Sequence, residues 1–305
     1  MAKSALFKRW EADKDSVTCH EKIVKKLQSG SILSETETPF KVLVNGYLDY
    51  RGIHIGGQTI KKNKLKNIDF SESYFAGAWI EKSEFINCIF DKTDFTDFSD
   101  HGNIFKDSLF QNCKFSKAVI GYDGTKFENC IFRNCDFTRT NHIRTEYNNC
   151  QFLNCKLKGF DYGASSFEDC VFEGKVEDVW FRGGFQHPIQ LSEFGKPRPN
   201  KMKNVSFEHA ELIDLTISDN CDLSTVKVPD DGNYLLLGNW KTRLERLDFC
   251  LESLTDNDKI RLQLFIDVKK RFTHNQDWMI LNKEELEKRY GLTVALVIFN
   301  ELSHN

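Results

Sequence analysis

From Tyr50 to Phe172 an aromatic or large aliphatic residue returns every five positions. Ile55, Ile60, Leu65, Phe70, Phe75, Ile80, Phe85, Phe90 and Phe95 form one unbroken series, which resumes at Phe105, Phe110, Phe115 and Ile120. After a slip of two residues at 121–125 it continues through Phe127, Phe132, Phe137, Tyr147, Phe152, Leu157, Tyr162, Phe167 and Phe172. A period of five suits neither a helix nor a flat strand. Two positions before most of these central residues stands a small one, as in Ser73, Ala78, Cys88, Cys113 and Cys130, and the position just before is often polar. A coil with flat sides, one unit per side, meets this pattern. Four sides close a turn of about twenty residues, and turns stack at about 4.8 Å, the spacing of strands.

The cysteines carry the longer period. Cys130, Cys150 and Cys170 are twenty residues apart, as are Cys135 and Cys155. Stacked turns would set each group in a column of small buried thiols. Units such as Cys135-Asp136-Phe137-Thr138-Arg139, Thr93-Asp94-Phe95-Thr96-Asp97 and Ser83-Glu84-Phe85 resemble the pentapeptide-repeat family, whose motif is A-(D/N)-(L/F)-(S/T/R)-x. The resemblance covers 50–172 and, more loosely, 205–228. It implies a mainly β fold, a right-handed quadrilateral β-helix, and a bacterial source. The register fails where Asp100 and His142 fall at central positions. A charge in a dry axis costs several kcal/mol unless paired. Bulges or loops are therefore expected near 98–103 and 141–144, with His142 either a buried, hydrogen-bonded histidine or a ligand.

The rest of the chain is read as caps. Residues 1–49 should cover the first turn, with a helix capped by Asp15 or Ser16 that stops at Gly30 and sets Val17, Ile23, Val24 and Leu27 on one face. A polar loop at 34–39 and a strand at 40–44 follow, then the turn Asn45-Gly46. Residues 173–204 break the period and read as an aromatic insertion in a coil spanning 50–228. Residues 205–228 return to repeat-like units. The segment 229–305 reads as an α-helical domain. Its stripes are Leu237, Trp240, Leu244, Leu247, Leu251 and Leu254, then Ile260, Leu264, Val268 and Phe272. Asn282 should cap a further helix that stops at Gly291.

Formal charge is −3, so no global field draws the chain to nucleic acid or to an anionic membrane. No segment approaches eighteen apolar residues, and residues 1–10 lack the apolar core of a signal peptide. With seven of the ten cysteines assigned to the repeat, a cytoplasmic protein with reduced thiols is expected. The histidines do not pair at metal-binding spacing, and no P-loop, Gly-x-Ser-x-Gly or His-Glu-x-x-His appears. No cofactor, metal or catalytic residue is assigned.

The expected function is a non-enzymatic protein–protein interaction module, with another protein as partner and a homodimer through the C-terminal helices. Candidate contacts are Tyr122 and Asp123, on a loop at the register slip, and Trp180, Phe181, Arg182 and Phe185 in the insertion. Trp, Phe and Arg commonly anchor interfaces, but Trp180, Phe181 and Phe185 could equally pack onto the coil. The resemblance also implies an alternative, a DNA-mimicking binder of a type II topoisomerase. That needs an acidic stripe, whereas residues 65–172 carry 12 basic and 16 acidic side chains. A second alternative is an enzyme with its site near Trp180, Arg182 and His187.

Overall fold

Residues 4–30, 33, 38–273 and 275–303 are described by the computed structural model. Two compact units divide the chain, Met1–Phe160 and Asp161–Asn305. The first is a parallel coil with four walls. One wall stacks Leu48–Asp49, Ile68–Asp69, Ile89–Asp91, Leu109–Gln111, Ile131–Arg133 and Gln151–Leu153. The next is joined by single bridges at His54, Tyr74, Asp94, Lys114, Asp136 and Lys156. A third stacks Thr59–Lys61, Trp79–Glu81, Ser99–His101, Val119–Ile120 and Asn141–Ile143. The fourth stacks Lys64–Lys66, Glu84–Ile86, Ile104–Lys106, Lys126–Glu128 and Glu146–Asn148.

Why five residues make a wall is visible at the corners. Away from the register slip, the residue two after a central one has left-handed backbone: Asn67, Glu72, Lys82, Asn87, Lys92, Asn112, Asn129, Asn134, Asn149 and Asn154 all have φ between 48° and 57°. Asparagine tolerates this region better than most residues. Corner asparagines also bond turn to turn: Asn87 Nδ2 to Asn67 Oδ1 at 2.8 Å and Asn149 Nδ2 to Asn129 Oδ1 at 2.9 Å.

Central side chains fill the axis as stacked columns. Phe90, Phe110, Phe132 and Phe152 follow at ring separations of 4.8, 4.9 and 4.9 Å. Phe95, Phe115 and Phe137 are 4.8 Å apart and within 2° of parallel. The separation is the rung spacing, so ring stacking and backbone pairing reinforce one another. Small positions stack likewise. Cys130 and Cys150 are buried and interact directly, and so do Cys135 and Cys155. Their thiols donate to main-chain carbonyls, Cys150 Sγ to Phe127 O at 3.3 Å among them.

The bulges expected around Asp100 and His142 are not formed. Both residues lie in regular strands, point inward and are 0% exposed. Local polar partners replace water. Asn103 Nδ2 and the Gly121 amide (2.9 Å) donate to Asp100, while His142 contacts Thr140 Oγ1 at 3.0 Å and Tyr147 OH at 2.9 Å.

Helices α1 (Ala5–Lys8) and α2 (Lys14–Ser29) precede the coil. The cap of α2 is Asp13, whose Oδ1 accepts the Ser16 amide at 2.7 Å, rather than Asp15 or Ser16. Gly30 ends it with φ 72°, and Ile23 and Leu27 are buried while Val17 is exposed. Asn63 Nδ2 donates to Leu27 O at 2.6 Å. Arg9 forks onto Asp49 at 2.6 and 2.8 Å, and Trp10 Nε1 donates to Arg51 O at 2.9 Å. Of the loop expected at 34–39, residues 34–37 lie outside the described residues. The strand expected at 40–44 is reduced to one bridge, Val42 to Leu48. A tight turn closes early, with Leu43 donating to Tyr47 O at 2.8 Å.

In the second unit, 173–182 is not an insertion into the coil. It belongs to one long strand, Val171–Arg182, paired in parallel with Ser206–Ile213 and Thr216–Ser218. Its buried side chains are Phe172, Val176, Val179 and Phe181, at spacings of four, three and two, so the period of five has lapsed. Helix α3 (Pro188–Phe194) follows. Residues 233–305 are not wholly helical: Tyr234–Leu237 pairs antiparallel with Met279–Asn282. Helices α4 (Trp240–Cys250), α5 (Asp256–Phe272), α6 (Lys283–Tyr290) and α7 (Leu292–Ser303) share a core of Trp240, Leu244, Leu262, Phe265, Ile266, Tyr290 and Ile298. Asn282 caps α6 as expected, accepting from Glu284 and Glu285. On α5 the core takes Leu262, Phe265 and Ile266, so Ile260 and Leu264 of the expected stripe are 68% and 54% exposed.

Polar side chains finish the backbone around 212–221. Gln276 accepts from the Cys221 amide at 2.9 Å and donates to its carbonyl at 2.6 Å, as a neighbouring strand would. Tyr234 OH accepts from Leu212 N, Asn282 donates to Leu212 O, and Glu285 accepts from Asp214 N.

Candidate functional site

On the third wall of the first unit, strand alternation turns Trp79 and His101 outward. The indole lies flat on the imidazole, with centroids 3.8 Å apart and planes within 15°. His101 is 4.9 Å from the Tyr122 ring. Trp79 is 43% exposed, Tyr122 half-buried and Asp123 exposed. Glu81 accepts from Trp79 Nε1 at 3.3 Å, and Ser99 Oγ meets His101 Nε2 at 2.8 Å. Burial lowers the His101 pKa while Asp123 and Glu81 pull it up, with burial the stronger. The result is a run of three rings up the wall, with carboxylates at Glu81 and Asp123.

The loop carrying Tyr122 and Asp123 is where the register slips. Gly121 and Gly124 have φ of 83° and 81°, and the Gly124 amide donates to Gly121 O at 2.7 Å. A Cβ on Gly121 would collide with Thr145 Oγ1 and the Ile143 carbonyl, so only glycine enters this loop. The strong sequence sign for Tyr122 and Asp123 was the slip itself. Trp79 and His101 were missed, although Trp79 is the one tryptophan between residues 50 and 172 and stands just before a central position.

The other candidates lie in the second unit. Phe181 is 0% exposed and packs among Tyr162, Phe167, Phe172 and Phe207, so it cannot meet a partner. Arg182 lies 4.4 Å from the Trp180 ring and is held by Asp161 at 2.9 Å and Asp219 at 3.1 Å. Burial nevertheless keeps the Asp161 carboxyl above its usual range, against the pull of Arg182. Trp180 meets Phe272 edge-on at 6.2 Å, and Phe185 packs near Phe194 at 5.8 Å. These side chains are engaged within their own unit, and His187 stands exposed.

Among the described residues no group of three or more His, Cys, Asp or Glu could hold a metal ion, and no helix is long and apolar enough to cross a membrane. No protein-family model and no curated protein matches the sequence. Among solved structures the chain is similar to HetL, a pentapeptide repeat protein involved in heterocyst differentiation regulation from the cyanobacterium Nostoc sp. strain PCC 7120. Identity is 10% over 57% of this chain and 87% of that one, with a TM-score of 0.27. It is also similar to full-length QnrB1, a plasmid-mediated fluoroquinolone resistance protein, at 14% identity over 53% of this chain and 89% of that one, TM-score 0.23. Likeness at this level carries no inference of function. The five-residue period of the sequence returns in the fold as four walls to a turn, the parallel β-helix that the pentapeptide-repeat resemblance implies.

Proposed function

We propose that this protein is a non-enzymatic interaction module whose coil presents a rigid docking face to another protein. The exposed Trp79 ring, held flat on His101 beside Tyr122, is the observation that carries this reading. Large preorganised aromatic side chains anchor interfaces at low entropic cost. The carboxylates of Glu81 and Asp123 favour a partner segment with an arginine or lysine over the indole. Affinity capture from the source cells tests it: Trp79→Ala and Tyr122→Ala should each lose the partner that wild type retains. An unchanged partner set in both variants refutes it.

A second copy of the chain is the occupant we assign to the C-terminal helices. Ile260 and Leu264 on α5 and Leu292 and Leu296 on α7 leave apolar side chains in solvent. Sedimentation should show a dimer that Leu264→Glu dissociates; a monomeric wild type sinks this part. A DNA-mimicking grip on a topoisomerase is less favoured. On the fourth wall Lys64–Glu84, Lys106–Glu128 and Lys126–Glu146 pair across turns at 3.2, 3.4 and 3.6 Å, which breaks up an anionic stripe. Gyrase supercoiling assays separate the two readings. The enzyme alternative near Trp180 has little support, because two carboxylates already hold Arg182. Free thiols at every cysteine suit a reducing cytoplasm.

A further inference from the structure

We infer that Asp100, inside the tube, is an acid-sensitive latch for the Tyr122–Asp123 loop outside it. Asp100 points inward from the same strand on which His101 points outward. Its Oδ2 accepts the Gly121 amide at 2.9 Å, at the loop's entry, and Thr125, at the loop's exit, also bonds the carboxylate. The loop is thus held at both ends from within the wall. A main-chain tie to this strand is Tyr122 N donating to Asp100 O at 3.1 Å.

The other donor to Asp100 is Asn103 Nδ2, and Asn103 has no freedom to yield. Its Nδ2 also donates to Ile80 O at 2.7 Å, its Oδ1 accepts Ser83 N at 2.8 Å, and its own amide donates to Thr125 Oγ1 at 3.0 Å. A carboxylate serves all these donors; a neutral carboxyl keeps one good acceptor oxygen. On protonation the Gly121 amide, carried by a loop, is therefore the donor that loses its partner. Burial pushes the Asp100 pKa up to about 6, with Asn103, Thr125 and Gly121 pulling it back, so the change falls within a mild pH range.

The groups around Asp100 are few. Ile80 and Ile120 adjoin it in its own wall, and Phe90, Phe95 and Phe105 are the central residues of its turn. None titrates. His101, next in sequence, lies on the outer side of the strand and feels Asp123 and Glu81. His142 sits two turns on in the same wall, beyond Ile120. Where the aromatic face holds a partner, a reading on which this last consequence rests, acid should loosen that complex.

Hydrogen exchange of the full chain, read by mass spectrometry without any partner, tests the latch separately from the docking proposal. After correction for intrinsic rates, protection of 120–125 should fall about tenfold between pH 7.5 and 5, while 104–111 is unchanged. His101→Gln should keep the transition. Asp100→Asn should abolish it, and Thr125→Val, which removes one donor, should move it to higher pH. Protection that does not change with pH in wild type overturns the proposal. So does a transition that vanishes in His101→Gln, or one that Thr125→Val leaves in place.

Discussion

Replacing Phe110 by alanine is the sharpest test of the stacked interior. Its ring has Phe90 on one face at 4.8 Å and Phe132 on the other at 4.9 Å. Phe105, Phe115, Phe95 and Phe127 surround its edge at 5.6 to 6.2 Å. Phe-to-Ala changes in cores cost about 3–5 kcal/mol, more where the site cannot collapse. Here collapse is opposed on both sides. The strand carrying Phe110 is hydrogen-bonded to Ile89–Asp91 and to Ile131–Arg133, so neighbouring rungs cannot close the gap. The expected loss lies at the upper end, about 4–5 kcal/mol, and Phe110→Leu should lose only about 1–2 kcal/mol. In a solenoid the damage stays near the altered turn. Urea denaturation measures the loss, and hydrogen exchange should show faster opening of 104–133 than of α2. A loss below about 2 kcal/mol, or an even rise in exchange along the chain, would refute the packing argument.

His142 predicts an acid-sensitive fold. Burial drives its pKa down to about 3, so the folded chain keeps it neutral while the unfolded chain protonates near 6.5. Stability should fall as pH drops from 6.5 towards 3, by as much as about 4–5 kcal/mol at 1.36 kcal/mol per pH unit. In His142→Gln, denaturation across pH should lose roughly one proton's worth of slope; an unchanged slope sinks the prediction. Arg9 and Arg51 hold Asp49 well below the usual carboxylate range, despite the opposing effect of burial. Breaking a largely buried pair costs several kcal/mol, so Arg9→Ala should lower stability by about 2–3 kcal/mol after allowance for Arg9's partial exposure. A change within about 0.5 kcal/mol in thermal unfolding would contradict that. Gln276→Leu should leave both the amide and the carbonyl of buried Cys221 without partners, costing about 2–4 kcal/mol by urea denaturation; a neutral effect would mean water replaces the side chain.

The coil was legible because its cause is local. An inward residue every fifth position is a statement about spacing, and Phe90, Phe110, Phe132 and Phe152 stack as that spacing requires. Asp100 and His142 were misjudged because spacing tells which residues point inward but not whether a polar one is satisfied there. Their partners, Gly121 and Tyr147 among them, become neighbours only through the fold. The corner asparagines escaped notice for another reason: position five varies among Asn, Lys, Asp, Glu, Arg and Gly, and its common property is a backbone angle. On α5 both faces carry apolar residues, and only the packed neighbours decide between Leu262 and Leu264. Tyr122 and Asp123 were found through a disturbance in the period, whereas Trp79 and His101 stand in undisturbed repeats and come together only when turns stack.

Parallel strands invite continuation, since each presents unsatisfied amides and carbonyls to whatever comes next. Around 212–221 that invitation is withdrawn by Tyr234, Gln276, Asn282 and Glu285, which answer the open backbone with groups that propagate nothing. A further rung at this boundary would have to displace those four side chains, and stripping them should leave the edge open to strand pairing.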